Sequence, residues 1–295
     1  VAAITTGQLV DDYMRARRVA REHTAATSRA VFYTLAEFSK AVPKDPNRIR
    51  PKHIIAWLDQ PNVSDGTIAT KYGQVRAFMK WASSTGKIRT DPTFGIKGPK
   101  RPRRIPRAVD PCDISLLFST APDLRLLVAM SLMACEGLRI SEVCRLQTGD
   151  IDWRMNTIRA HGKGDKERVV HLSPTTAGAI HRYLAGSPTG AGPLIRSFLD
   201  DRSPVSSNQL GRLVSAHMAS VGVKRFPRDG KSPHALRHSY ASDLVDAGLT
   251  IPEVADLMGH ESIQTTMIYQ RRVDLEKTRA LVEGRSYAGG LWSVG

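Results

Sequence analysis

The stretch from His234 to Tyr269 gathers side chains able to do chemistry on a phosphate. His234-Ala235-Leu236-Arg237-His238 sets His234 and Arg237 three residues apart, on one face of a predicted helix. In Met258-Gly259-His260 a histidine follows a glycine that can end a helix. Tyr269 lies nine residues further on. The set offers an anion-binding arginine, two imidazoles for proton transfer or hydrogen bonding, and a phenol. Alone, it is open to several chemistries.

Arg139 and Lys163, upstream, narrow them. A phosphodiester attacked by an oxygen nucleophile passes through a pentavalent state with added negative charge on its non-bridging oxygens. Fixed cations lower that barrier, and arginine supplies a planar, bidentate, permanently charged fork. Arg139 and Arg237 are candidates for such a pair. Lys163 stands between Gly162 and Gly164 on a predicted β-turn, from which a long side chain can reach into a groove. By itself it reads as a solvated turn lysine. A free phenol has a pKa of about 10, so Tyr269 needs nearby cations or a base to react at neutral pH. No Asp/Glu cluster with metal-ligand spacing accompanies these residues, which predicts a mechanism without metal or other cofactor. His161, His171 and His238 read as framework histidines, and Tyr240 as core.

The elements that must position these groups fall into two sets. In the first third, Thr6 is a candidate N-cap for a helix over 6–22, and a second helix spans 24–41. Pro51 opens a third and Ser64 a fourth, giving an all-α unit. Lys71, Arg76 and Lys80 on the fourth helix are candidate phosphate contacts, or simply a solvated face. Lys97 to Arg107 is broken repeatedly by proline, so it predicts an extended linker. Its Lys100, Arg101, Arg103, Arg104 and Arg107 can track a phosphate backbone. Beyond it, helices are predicted at 113–120 and 123–136, with another beginning at Ser141 or Glu142. Three short strands follow at 151–153, 157–160 and 168–172. Helices resume at 174–185, 207–221, 234–247, 251–258 and about 262–283.

Composition fits this division. The chain has 295 residues and a net charge of +15. Residues 1–108 hold 21 Lys+Arg against 8 Asp+Glu, whereas the remainder holds 22 against 20. A basic first third ahead of a nearly neutral body predicts a polyanion grip joined to a catalytic domain. With 41% hydrophobic residues there is enough to build cores. No apolar run approaches the roughly 20 residues of a membrane span, and the first residues lack the pattern of a signal peptide. The three cysteines lack metal-ligand spacing and fit reduced thiols. A cytoplasmic protein is expected, in the bacterial cytoplasm or nucleoid, or in a host's cytoplasm if phage-encoded.

Glu136-Gly137-Leu138-Arg139-Ile140-Ser141-Glu142, Gly162-Lys163-Gly164-Asp165-Lys166, His234-Ala235-Leu236-Arg237-His238, Met258-Gly259-His260 and the Tyr269 segment occur in the order found in tyrosine recombinases. The sequence therefore resembles the tyrosine recombinase, or phage integrase, family over its whole second part. The basic four-helix unit resembles that family's core-binding domain. The resemblance implies a mainly α fold: a SAM-like four-helix core-binding domain over 1–97, a basic linker over 98–109, and an α+β catalytic domain over 110–295 with a small three-stranded antiparallel sheet. It implies Tyr269 as nucleophile, Lys163 as general acid toward the departing 5′ oxygen, Arg139 and Arg237 as stabilisers of the phosphate, and His234 and His260 as their partners. Attack would leave a 3′-phosphotyrosine, later resealed by a partner strand's 5′ hydroxyl, with no cofactor.

The expected partners are double-stranded DNA at specific sites and further copies of the chain, as a tetramer working through a Holliday junction. There is room for an accessory directionality factor. The pattern departs from the family's usual one at Cys135-Glu136, at Met258 where leucine is common, and at His171 where proline is common. None of these is a catalytic position. No arm-binding domain is expected ahead of residue 1, which resembles the shorter members. Integration of a phage or mobile element is the expected job. The alternatives are host-type resolution of chromosome dimers, a type IB topoisomerase, and a DNA-binding protein without activity.

Overall fold

The structure is a computed structural model that describes residues 4–20, 25–61, 63–99, 108–162, 167–186, 191–200, 203–226 and 229–259. The chain divides into two compact units, residues 1–104 and 105–295.

The first unit is built from α1 (Thr6–Val19), α2 (Ala25–Ala41), α3 (Pro51–Leu58) and α4 (Asp65–Ser84). Apolar residues at three- and four-residue spacing make one stripe per helix. Leu9 and Tyr13 of α1, Leu35 and Phe38 of α2, Trp57 of α3, and Val75 and Phe78 of α4 close over a single core. Ser64 caps α4 as expected, accepting from the Thr67 amide. The cap of α1 is Thr5 instead of Thr6. The Thr5 hydroxyl accepts from the Gln8 amide, and the Gln8 side chain accepts from the Thr5 amide. Thr6 is buried, and its hydroxyl donates to the Pro43 and Lys44 carbonyls at 2.7 and 3.0 Å. A buried hydroxyl needs such a partner, and the one it finds is far away in sequence. After α4 the chain folds back on it, with the Tyr72 hydroxyl donating to Ile96 O at 2.6 Å.

The second unit contains α5 (Pro111–Ser119), α6 (Leu124–Ala134), α7 (Ile140–Val143), β1 (Ile151–Asp152), β2 (Thr157–His161) and β3 (Glu167–His171). These are followed by α8 (Pro174–Ala185), α9 (Ser207–Ser220), α10 (Pro233–Asp246) and α11 (Ile251–Met258). The mainly α architecture with a three-stranded antiparallel sheet, order β1-β2-β3, is the one the sequence predicts. Ile158 pairs with Val170 and His161 with Glu167. Asn156, in the β1–β2 turn, takes φ +52°, a conformation asparagine tolerates better than most residues.

The central element is α6, on which α5, α7, α8, α9 and α10 pack. From Val128 to Ala134 every residue of it is buried. That explains its lack of a polar face, because a helix surrounded on all sides has no need of one. Its position fixes the loop that follows, and that loop carries Arg139. The predicted helix over 262–283 lies outside the described residues. Among the described residues no helix is long and apolar enough to cross a membrane.

Candidate active site

The site begins where α6 ends. Gly137 turns the chain with φ +64°, and a Cβ there would sit 2.2 Å from the Tyr240 ring. Only glycine meets both demands, a left-handed backbone and contact with an aromatic face. The turn presents Arg139 as N-cap of the short helix α7, and Glu142, at that helix's third position, accepts from the Arg139 amide at 2.8 Å. The same carboxylate accepts from Arg139 Nη1 at 2.7 Å.

Glu142 is 1% exposed and serves more than Arg139. Arg168, on β3, meets it as a fork, with Nη1 and Nη2 at 3.0 and 2.9 Å from Oε1 and Oε2. Arg237 Nη1 lies 3.6 Å from Oε2. Burial alone would push the Glu142 carboxyl up. The hydrogen bonds and charge of Arg168, then the amide and guanidinium of Arg139, outweigh it and hold the pKa at about 2. The group is therefore a fixed anion with three guanidiniums around it.

The other wall is the end of α11. Gly259 caps it in the left-handed conformation, φ +60° and ψ +46°. The helix-terminal carbonyls this frees are taken up by guanidiniums. Arg139 Nη2 donates to Gly259 O at 2.8 Å, and Arg237 donates to Met258 O. Arg237 also donates to Gly137 O and is 2% exposed. A cation buried so deeply has to be paired, and these partners pair it. Carbonyls at a helix C-terminus carry partial negative charge, which suits them to the task. Arg139 remains 30% exposed.

His234 stands in the first turn of α10, one turn before Arg237, with its ring 5.1 Å from that of His238. Much of its surface is open. Even so, the protein crowded around the ring desolvates it, and with the charges of Arg237 and Arg139 this lowers its pKa below the usual value. The shift favours the neutral imidazole, the form that can accept a proton. His161 bridges Asp150 and Glu167 at 3.1 and 3.2 Å, which is a framework role at the end of the β2–β3 ladder.

The structure thus brings Arg139 and Arg237 onto one carboxylate and one helix end, with His234 on the helix of Arg237. Lys163, His260, Tyr269, Lys100, Arg101, Arg103, Arg104 and Arg107 lie outside the described residues. In the first unit, Arg76 and Lys80 are exposed. Lys71 is not the solvent-facing cation the helix pattern suggests. Its ammonium donates to Glu37 at 2.9 Å and to Gln60 at 3.1 Å, over the Trp57 ring, and its side chain is 17% exposed. Sequence reasoning gave no role to Glu142 or Arg168. The three-residue spacing of Arg139 and Glu142 could have flagged the first. Nothing local flags the second.

Two arginines, Arg237 buried and Arg139 partly exposed, thus converge on one carboxylate, with His234 beside them. The model of the phage integrase family matches residues 107–276. The chain belongs to that family, and so to the tyrosine recombinases, enzymes that cleave and rejoin DNA in site-specific recombination. It is 30% identical over 266 residues to the tyrosine recombinase XerC of Actinobacillus pleuropneumoniae serotype 7 (strain AP76), covering 88% of this chain and 86% of the relative. Among solved structures, the Tn1549 transposon integrase in complex with a circular intermediate DNA superposes with a TM-score of 0.75 at 17% identity, over 96% of this chain and all of that one. A lambda integrase tetramer bound to a Holliday junction gives 0.72 at 19%, over 88% and 78%.

Proposed function

We propose that the chain cuts one DNA strand by attack of the Tyr269 hydroxyl on the scissile phosphorus, within the arginine pair Arg139 and Arg237. The bond from the tyrosine oxygen to phosphorus forms and the bond from phosphorus to the 5′ oxygen breaks. The phenolic proton passes to His234, whose depressed pKa leaves it free to accept one. The 5′ oxygen takes a proton from Lys163, and His260 hydrogen-bonds the phosphate. The product is a 3′-phosphotyrosine and a 5′ hydroxyl, and attack by a partner strand's hydroxyl reverses the chemistry and reseals the DNA. The carrying observation is the convergence of Arg139 and Arg237 on Glu142 and on the α11 carbonyls that directly precede His260.

The basic first unit and the linker cations Lys100, Arg101, Arg103, Arg104 and Arg107 grip the duplex, with Arg76 and Lys80 as exposed contributors. The working assembly is a tetramer of this chain on two DNA sites, exchanging strands through a Holliday junction. The biological job is integration and excision of a mobile element. The likeness to the transposon integrase supports that reading. Resolution of chromosome dimers is the second reading, favoured by the 30% identity to a XerC recombinase. Supercoiled plasmids carrying candidate attachment sites, run against plasmids carrying a host dimer-resolution site, separate the two. Recombination of the first set alone supports integration; recombination of the second alone replaces it.

A further inference from the structure

Glu142 is a carboxylate in an awkward place. It is buried, fully ionised, and within reach of both arginines assigned to the phosphate. An anion there cancels part of the positive charge that the incoming phosphate is meant to meet. Arg168 bears on that problem. It comes from a different element, β3, and both of its Nη atoms are spent on the two oxygens of Glu142. Its side chain is 16% exposed and packs against the Gly259 backbone, where a Cβ would lie 3.0 Å from Nη1. Arg168 therefore faces the carboxylate and the α11 cap rather than an open cleft.

We infer that Arg168 is a charge-balancing positioning residue: it neutralises Glu142 so that Arg139 and Arg237 keep their full charge for the scissile phosphate. The inference rests on the reading of Arg139 and Arg237 given under Proposed function. With three guanidiniums and one carboxylate the cluster carries a net charge of +2; without Arg168 it carries +1. Opposite charges in a poorly hydrated site interact far more strongly than in water. A Glu142 left without Arg168 draws Arg139 and Arg237 onto itself, and the phosphate loses part of its clamp. Arg168 also braces the Gly259 backbone whose carbonyl holds Arg139 Nη2, so charge and placement act together.

The test uses the full chain and a nicked suicide duplex, selected by covalent capture with wild-type protein from a library randomised around the nick. Arg168→Met is expected to slow covalent capture by about 10–100-fold, less than the ~10²–10³ that loss of a direct donor costs, while equilibrium binding of the duplex changes little. Arg168→Lys, which keeps the charge, stays within roughly fivefold of wild type, because a point charge still balances the carboxylate. The double variant Arg168→Met with Glu142→Gln restores the net charge and recovers part of the rate. The deficit of Arg168→Met shrinks on a duplex whose scissile phosphate is a methylphosphonate, since that group demands less positive charge. Wild-type capture rates in Arg168→Met, a double variant no faster than the single one, or an equal deficit on both duplexes each overturn the inference. If Arg168→Met has no cooperative thermal transition, Arg168→Lys decides: a loss of tenfold or more overturns it. No capture by wild type removes the underlying reading as well; capture by wild type with unaffected variants removes this inference alone.

Discussion

Arg139 Nη2 donates to the carbonyl of Gly259 at 2.8 Å, joining residues 120 positions apart. The first sits where α7 begins and the second where α11 ends. The bond sets the turn that carries Arg139 against the end of α11 and fixes the last backbone group before His260. Its geometry depends on the left-handed conformation of Gly259.

Replacement of Gly259 by alanine should therefore be costly on two counts. The residue has φ +60°, and its new methyl would press on Arg168. A left-handed non-glycine residue costs about 1–2 kcal/mol, to which the contact adds. Urea denaturation should show a loss of roughly 2 kcal/mol, and covalent capture of DNA should slow. An unchanged midpoint with unchanged capture would contradict the role given to this cap.

Two buried glutamates give stability opposite dependences on pH. Glu142 is held at about 2, below its ordinary 4.5. Its contribution is complete above pH 4.5 and is lost as pH falls toward 2, about 3 kcal/mol in all. Glu136 accepts from the Ser173 amide and the Thr176 hydroxyl, yet burial outweighs those bonds and raises it to about 7. Its protonated form is favoured in the fold, so the stability tied to it is present below pH 4.5 and is lost as pH rises through 7, again by about 3 kcal/mol. Glu136→Gln should flatten the decline between pH 4.5 and 7 in chemical denaturation. A decline identical to wild type would mean that Glu136 ionises normally in the fold.

His234 should appear in the pH dependence of cleavage. Burial and the charges of Arg237 and Arg139 depress it below 6.5, so the acid limb of the single-turnover rate should lie below pH 6.5. His234→Gln should remove that limb and slow the reaction by ~10²–10⁴, the usual range for a general base. A limb that persists in the variant belongs to some other group.

The first unit predicts a graded response to salt. Arg76→Ala and Lys80→Ala should each weaken DNA binding and reduce the dependence of log K on log salt by about one charge. Lys71→Ala should leave that slope alone, because its ammonium is already bound to Glu37 and Gln60. Its cost should instead be in folding, ~0.5 kcal/mol. A Lys71 variant that changes the slope as Arg76 does would place that ammonium on DNA.

Much of this was legible in the sequence because the signals were local. Ser173-Pro174 opens α8, and Thr250 with Gly259 brackets α11, so both helices fall where predicted. The strands show their period of two. Thr5 was missed because Thr6 is an equally good cap by type, and only the distant carbonyls of Pro43 and Lys44 claim its hydroxyl. Lys71 reads as a surface lysine until α2 brings Glu37 beside it. Arg168 reads as one more basic residue on a strand until β3 sets it against Glu142, 26 positions earlier. Spacing within an element shows which residues share a face. It does not show which element that face will meet.

The nucleophile is the most direct point of test. Wild-type protein captured on the nicked duplex, digested with nuclease and protease, should yield a peptide whose Tyr269 carries a 3′-phosphonucleotide by mass spectrometry, and Tyr269→Phe should yield no covalent complex. A nucleotide on any other residue, or capture by the phenylalanine variant, would contradict the account.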